Sequence, residues 1–219
     1  MTIKKYLQSC IVIEKNGKRL LADPGTLCFI EEKITPEDIG AVDVIILTHS
    51  HPDHFYPEAL KRICALRDAP IVTHPEIGVL LDAEGLAWQP IRAGESVDAA
   101  GFHLQALEAA HEHLPIPCPH NLAYFIDEKV LLPGDSYSVK GIDHCDILAL
   151  PTAGPWSRLV DGTDWAITLK PRVVIPIHDA IIKDFFLDRI TAMCRAALEP
   201  AGIEFCPLGI GEEFVYAEN

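Results

Sequence analysis

The stretch THSHPDHFY, residues 48–56, follows directly on VDVIIL, a run from Val42 to Leu47 that is apolar except for Asp43. A run so apolar predicts a strand buried on both faces, and such a strand needs covering layers on either side, as in a layered α/β protein. Three histidines and one aspartate then fall within the six positions from His49 to His54, just past the carboxyl end of that strand. Imidazole and carboxylate are the donors preferred by zinc and by other borderline divalent cations such as manganese or iron. While the chain is still extended His49 and His51 point the same way, and Asp53 and His54 turn back from the loop, so one hexapeptide reaches two adjacent cation positions. Capping of the helix predicted from Pro57 to Leu66 would employ Asp53 and leave the imidazoles without a role.

Around this loop strands and helices are mixed along the whole chain. Cys10 to Ile13 and Leu20 to Ala22 flank Asn16-Gly17, the pair best suited to the positive φ angles of a tight turn, and predict a β-hairpin ending at Asp23. Further strands are predicted at Ile71 to Thr73, Ser96 to Val97, Phe102 to Ala109, Asn121 to Ile126, Val130 to Leu132, Asp146 to Leu150, Arg172 to Ile177, Ile203 to Cys206 and Glu213 to Tyr216. Helical spacing predicts Pro75 to Leu81, Thr163 to Leu169 and Lys183 to Leu198. No Gly/Ser-rich linker or low-complexity segment interrupts them, so residues 1–219 are read as a single domain. NGKRLLADPG (16–25) is similar to DEKVLLPGDS (127–136), and each precedes an apolar strand introduced by aspartate, VDVIIL and CDILAL. Two similar halves of sheet and helix, stacked sheet against sheet, would make a four-layer αββα sandwich.

Composition removes several functional classes. A formal net charge of -14, from 32 acidic and 18 basic residues, repels phosphate backbones and anionic membrane surfaces, so nucleic acid is a disfavoured partner and a small molecule the expected one. No apolar stretch approaches the ~20 residues of a membrane span, and MTIKKYLQSC lacks the apolar segment of a signal peptide. The seven cysteines are scattered, with no Cys-x-x-Cys pair, which predicts neither a disulfide framework nor a zinc ribbon; the expected location is cytoplasmic. Ser136 and Ser157 lie outside any Gly-x-Ser-x-Gly, and Gly-rich phosphate loops are absent, which sets aside covalent serine catalysis and nucleotide binding. Nothing in the periodicity locates an oligomer surface.

Metal sites of layered α/β proteins gather residues from several strand ends. His111 follows the strand Phe102 to Ala109, Asp135 follows Val130 to Leu132, and His178 ends Arg172 to Ile177. Each alone also reads as a loop, turn or core residue, but with the hexapeptide they form one set. Asp23 reads either as the acceptor for a ligand imidazole or as a turn residue before Pro24. His113, His120, Tyr137 and Lys140 are candidates to protonate a leaving group or bind an anion; HLPIPCPH (113–120) either shapes a pocket or simply connects, and Trp156 and Arg158 are candidates for a recognition wall.

The order His49-x-His51-x-Asp53-His54, then His111, Asp135 in GDS and His178 in PIHD, resembles the metallo-β-lactamase superfamily, most of all its small ascorbate-phosphate-lactonase-like members. The resemblance runs from ADPG (22–25) through nearly the whole chain. It implies an αββα sandwich with two metals at one edge between the sheets. His49, His51 and His111 would hold the first, Asp53, His54 and His178 the second, and Asp135 would bridge them. His113, two residues from His111, leaves open which of the two is the ligand. Lactonase- and phospholipase-type relatives often carry Gly-His-Ser where this chain has Leu7-Gln8-Ser9, so their substrates do not transfer. Di-iron oxidoreductases of the superfamily tend to carry glutamate at the place of His51, and histidine there argues for hydrolysis.

A bound divalent metal lowers the pKa of water from ~15.7 towards ~7, and a pair ~3.5 to 4 Å apart also polarises the bond under attack. The sequence thus predicts a binuclear metal-dependent hydrolase that uses hydroxide on a small-molecule ester, lactone, amide or phosphodiester. Two divalent ions are expected, zinc first and manganese or iron as alternatives, with Asp53 or Asp135 orienting the water or taking its proton. The competing readings are a nuclease or phosphodiesterase on nucleic acid and a metal-binding protein without turnover.

Overall fold

Asn16 and Gly17 adopt φ of 52° and 73°, the left-handed pair that lets a chain reverse in two residues. In the computed structural model, which describes residues 1–217, this turn joins β2 (Ile11–Lys15) to β3 (Lys18–Ala22). β1 (Thr2–Lys5) pairs with the other side of β2, while β4 (Val44–Ile46), β5 (Ile71–Thr73) and β6 (Trp88–Pro90) continue in parallel beyond β3. The second sheet holds β7 (Ser96–Ala99), β8 (Phe102–Glu108), β9 (Leu122–Ile126), β10 (Val130–Leu132), β11 (Ile147–Pro151), β12 (Val173–Ile177) and β13 (Glu204–Phe205). β14 (Glu213–Val215) returns to the first sheet beside β1.

The strand orders are β14-β1-β2-β3-β4-β5-β6 and β13-β12-β11-β10-β9-β8-β7. Pairing follows the same scheme in both: an antiparallel hairpin, β2–β3 or β9–β10, and then three parallel neighbours. The halves whose likeness is visible in NGKRLLADPG and DEKVLLPGDS are therefore alike in topology, and their turns match, with Asp127 and Glu128 at φ of 51° and 55°.

Period-two side-chain alternation explains why so many strands are apolar throughout. In β3 and β4, Leu20, Val44 and Ile46 face the other sheet and meet Leu104, Tyr124, Ile147 and Ile175. Leu21 and Ile45 face outward to Leu60 and Ile63 of α2 (Pro57–Leu66) and Ile77 and Leu81 of α3 (Pro75–Ala83). Across the molecule Leu131, Leu148 and Val174 pack on Ala166 and Leu169 of α4 (Leu159–Leu169) and on Cys194 and Leu198 of α5 (Asp184–Leu198). The result is the four-layer αββα sandwich, and each fully buried Leu or Ile contributes about 1.5–3 kcal/mol.

Most predicted elements lie within two residues of their observed limits, and the larger departures have physical reasons. The strand pattern does not reveal β1, because its inward residue Lys5 is a buried cation; its Nζ donates to Asp179 Oδ2 at 2.7 Å and to the Tyr6 carbonyl at 2.9 Å. β6 is a short strand carrying Pro90, and α1 (Pro36–Ile39) is a single turn closed by Asp38, which accepts from Thr35 N–H at 2.7 Å. α4 starts at Leu159 rather than Thr163; Gly162 hides that start, and a Cβ there would lie 3.0 Å from the Tyr137 ring. Among the described residues no helix is long and apolar enough to cross a membrane.

All seven cysteines are free; Cys10, Cys28, Cys145 and Cys194 are buried and Cys118 is exposed. Burial pushes the Cys145 thiol up to about 12 and Cys194 to about 11, which suppresses the reactive thiolate. Iodoacetamide at pH 8 is expected to alkylate Cys118 first and to leave Cys145 and Cys194 unmodified in the native protein. Mass-mapped labelling of Cys145 as fast as Cys118 would contradict this packing.

Candidate metal centre

β3, β4, β8, β10 and β12 run in one direction along their sheets, and the residues that follow them collect at one edge between the sheets. His49, His51, Asp53 and His54 come from the loop after β4, His111 follows β8, Asp135 follows β10, and His178 follows β12. These residues form two groups, His49, His51, His111 and Asp135 in one and Asp53, His54 and His178 in the other, each with its donor atoms within 4.8 Å of one another.

In the first group His51 Nδ1 lies 3.2 Å from both His49 Nε2 and His111 Nε2. Asp135 Oδ2 is 3.4 Å from His111 Nε2 and 3.8 Å from His49 Nε2. In the second, His54 Nε2 is 3.2 Å from His178 Nε2, and Asp53 Oδ2 is 3.2 Å from His178 Nε2 and 3.6 Å from His54 Nε2. The other oxygen of Asp135, Oδ1, stands 3.1 Å from both His54 Nε2 and His178 Nε2. Tetrahedral donors at ~2.0–2.1 Å from a zinc ion sit about 3.3 Å apart. The spacings match that edge length, and the Asp135 carboxylate turns one oxygen to each group.

The far sides of the rings decide which nitrogen is free. His111 Nδ1 donates to the Glu112 carbonyl and His178 Nδ1 to the Ala153 carbonyl, both at 2.6 Å. A carbonyl only accepts, so Nδ1 carries a hydrogen and Nε2 is the nitrogen turned to the centre, where its lone pair becomes available to a cation once any second proton is lost. His54 Nδ1 donates to Asp23 Oδ2 at 2.9 Å, and Thr48 Oγ donates to the same carboxylate at 2.7 Å. That leaves the Thr48 oxygen to accept from His49 Nδ1 at 3.1 Å. Asp23 therefore orients His54 directly and His49 through Thr48. Asp135 Oδ1 is buried without a hydrogen-bond partner, although His54 Nε2 and His178 Nε2 both lie 3.1 Å away. Converging ring nitrogens and an orphaned carboxylate oxygen fit a metal centre.

Strain and close packing hold this edge. Gln8, Asp23 and His178 adopt φ of 58°, 45° and 65°, in the left-handed region that side chains other than glycine seldom occupy. Gly25 presses on the hexapeptide backbone: a Cβ there would lie 1.9 Å from Asp53 C.

The two groups differ in charge. Burial and the neighbouring His54 charge hold His49 well below its ordinary pKa, and burial lowers His51 as well. Burial also opposes charge on His54, but Asp135 and Asp23 outweigh it and raise its pKa well above the usual value. For His178 burial is likewise overcome, by Asp135 and Asp53, and its pKa rises to about 9. A cation entering the second group would therefore compete with protons held on the His54 and His178 pair, whereas His49 and His51 favour the neutral form. Zinc loading of the metal-free protein is expected to release protons, with uptake strengthening as pH rises towards about 9. Calorimetry in buffers of different ionisation enthalpy measures this; uptake with no proton release would contradict the assignment.

Other sequence candidates fall outside the groups. The His111 ring turns into the first group, and His113 is exposed. Tyr137 hydroxyl lies 2.9 Å from the Pro151 carbonyl and 2.7 Å from Ser157 Oγ, Lys140 pairs with Glu108 at 2.6 Å, and Arg158 lies 3.4 Å from Asp161. His120 packs its ring edge-on to His74, with centroids 4.7 Å apart. Trp156 does more than form a wall: its Nε1 donates to Asp135 Oδ2 at 2.9 Å. Gln8, which as an amide carries no metal-ligand signature in a sequence, donates from Nε2 to Asp53 Oδ2 at 2.9 Å.

The sequence profile of the β-lactamase superfamily domain matches residues 2–178. Protein Rv0786c of Mycobacterium tuberculosis is 29% identical over 207 residues, covering 88% of this chain and 92% of that protein. A UPF0173 metal-dependent hydrolase of Thermoplasma acidophilum is 28% identical over 172 residues, covering 74% and 75%. Among solved structures, a metallo hydrolase from the hyperthermophilic archaeon Ignicoccus hospitalis superposes with a TM-score of 0.73 at 21% identity, covering 99% of this chain and 100% of that one. This last likeness is one of fold.

Proposed function

This chain belongs to the β-lactamase superfamily and is a metal-dependent hydrolase, and from that premise we propose that it cleaves a small-molecule ester, lactone, amide or phosphodiester at a binuclear centre. His49, His51 and His111 would hold one divalent cation, Asp53, His54 and His178 the other, and Asp135 both. The observation that supports this most is the Asp135 carboxylate, with Oδ2 3.4 Å from His111 and Oδ1 3.1 Å from His54 and His178. Zinc is the first choice for a donor set of imidazoles and carboxylates, with manganese or iron next.

The chemistry such cations would supply there is a water activated towards a pKa of ~7 and polarisation of the bond to be cleaved. The chain's own residues do the rest. Asp135 is held in one orientation by Trp156 Nε1 at 2.9 Å. Burial favours a neutral Asp53, yet the His178 hydrogen bond and the His54 charge outweigh it and keep the carboxyl ionised far below its usual range. At 22% exposure against 2% for Asp135, Asp53 is the more accessible of the two carboxylates and serves as a fixed acceptor that orients a water. The net charge of -14 favours a small substrate over nucleic acid.

The test is hydrolysis of ester and bis-phosphodiester chromogens by chelator-stripped protein, before and after adding zinc, manganese or iron. Turnover that returns with metal supports the proposal. No turnover of either class with any of the three metals, in protein shown to bind them, would leave a metal-binding protein without this activity.

A further inference from the structure

Gln8 occupies the turn between β1 and β2, is 1% exposed, and takes a left-handed φ of 58°. Its carboxamide is engaged at both ends. Nε2 donates to Asp53 Oδ2 at 2.9 Å, and Oε1 accepts from Ala180 N–H at 3.2 Å. Its backbone carbonyl accepts from His178 N–H at 3.1 Å. One residue therefore joins two members of the second group, Asp53 by its side chain and His178 by its backbone.

The partners explain why such a brace is needed. His54 and His178 have 0% and 3% of their side chains exposed and are fixed by Asp23 and the Ala153 carbonyl, whereas Asp53 is 22% exposed on a loop. The oxygen that Gln8 holds is the one that faces His54 Nε2 at 3.6 Å and His178 Nε2 at 3.2 Å. A neutral amide suits this place because it offers a donor to the carboxylate and an acceptor to the Ala180 N–H at once; lysine offers only donors and glutamate only acceptors.

We infer that Gln8 is a positioning residue for the second cation, holding Asp53 Oδ2 toward His54 and His178. This rests on the two-cation reading of the centre. The first group has no bond to Gln8 among those that order its rings, so the effect is confined to one of the two cations.

Two variants separate positioning from folding. Gln8→Asn keeps the amide and tolerates a left-handed φ but is one methylene too short to span Asp53 and Ala180. Gln8→Met keeps the length and removes both hydrogen bonds. Titrating metal-free full-length protein with zinc against a chromogenic chelator reads both equivalents. The expected result is a second equivalent weakened about 10- to 100-fold in each variant, with the first unchanged. Unchanged binding of both equivalents, or equal weakening of both, would overturn the inference. Wild-type protein that takes up fewer than two equivalents overturns the two-cation reading itself, and this inference with it.

Discussion

Asp135→Ala is expected to lower metal-dependent hydrolysis by about a hundred- to a thousand-fold and to reduce bound metal below two equivalents, while the circular dichroism of the sandwich persists. Among the described residues no other side chain turns an oxygen to each group: Oδ2 stands 3.4 Å from His111 Nε2, and Oδ1 stands 3.1 Å from His54 and His178 Nε2. If each group holds a cation, as proposed, its removal would weaken both at once, whereas loss of a single histidine would leave one group complete. A stability signature accompanies the loss. In metal-free protein His178 has a pKa raised to about 9, against burial, chiefly through Asp135. A group raised in this way adds stability that is fully present below its unfolded value of ~6.5 and is lost as pH climbs through about 9. Thermal unfolding in chelator should thus show wild-type stability declining over that window and the Asp135→Ala protein declining less. Activity within ten-fold of wild type, with two equivalents of metal still bound, would remove Asp135 from its place in this account.

The second large effect is expected from the smallest substitution. Gly25→Ala places a methyl group 1.9 Å from Asp53 C and O and 2.4 Å from His54 N. These are backbone atoms that no rotamer change can move, and Thr26 N–H is tied to the Pro52 carbonyl at 2.8 Å on the same segment. The hexapeptide has to shift, at a cost of about 1–3 kcal/mol of stability, or roughly 2–12 °C in Tm for a chain of this size. Loss of the second cation should follow, because Asp53 and His54 both move. Gly17→Ala is the control: its φ of 73° makes alanine unfavourable, but its Cβ meets nothing within 4 Å and it lies at a remote hairpin turn. That variant should lose stability and keep both cations. If Gly25→Ala melts with wild type and binds two equivalents, the packing of ADPG against the hexapeptide is wrong.

The legible parts of this centre are those where a residue type carries the chemistry by itself. Five imidazoles and two carboxylates expected at strand ends point to a metal when taken as a set, and all seven come together at one edge. The sheets were legible too, because alternate residues of β3 and β4 face different cores and leave an apolar run between turns. Residues that act through geometry were harder to see. Asp23 reads equally as a turn residue until His54 Nδ1 is seen 2.9 Å away. Trp156 suggests a wall until its indole N–H is found on Asp135. Gln8 offers no signal, since its role depends on a left-handed backbone and on partners 45 and 172 positions away. Lys5 hides β1 for a related reason: a buried ion pair with Asp179 reverses the inward preference that the strand pattern presumes.

The measurement that tests the central claim most directly is metal content per chain by inductively coupled plasma mass spectrometry, on untagged protein purified without chelator. Close to two equivalents of zinc, manganese or iron, falling in both His49→Ala and Asp135→Ala, is the result this arrangement of ligands predicts. Protein that carries no metal and takes up none when zinc, manganese or iron is added would contradict it.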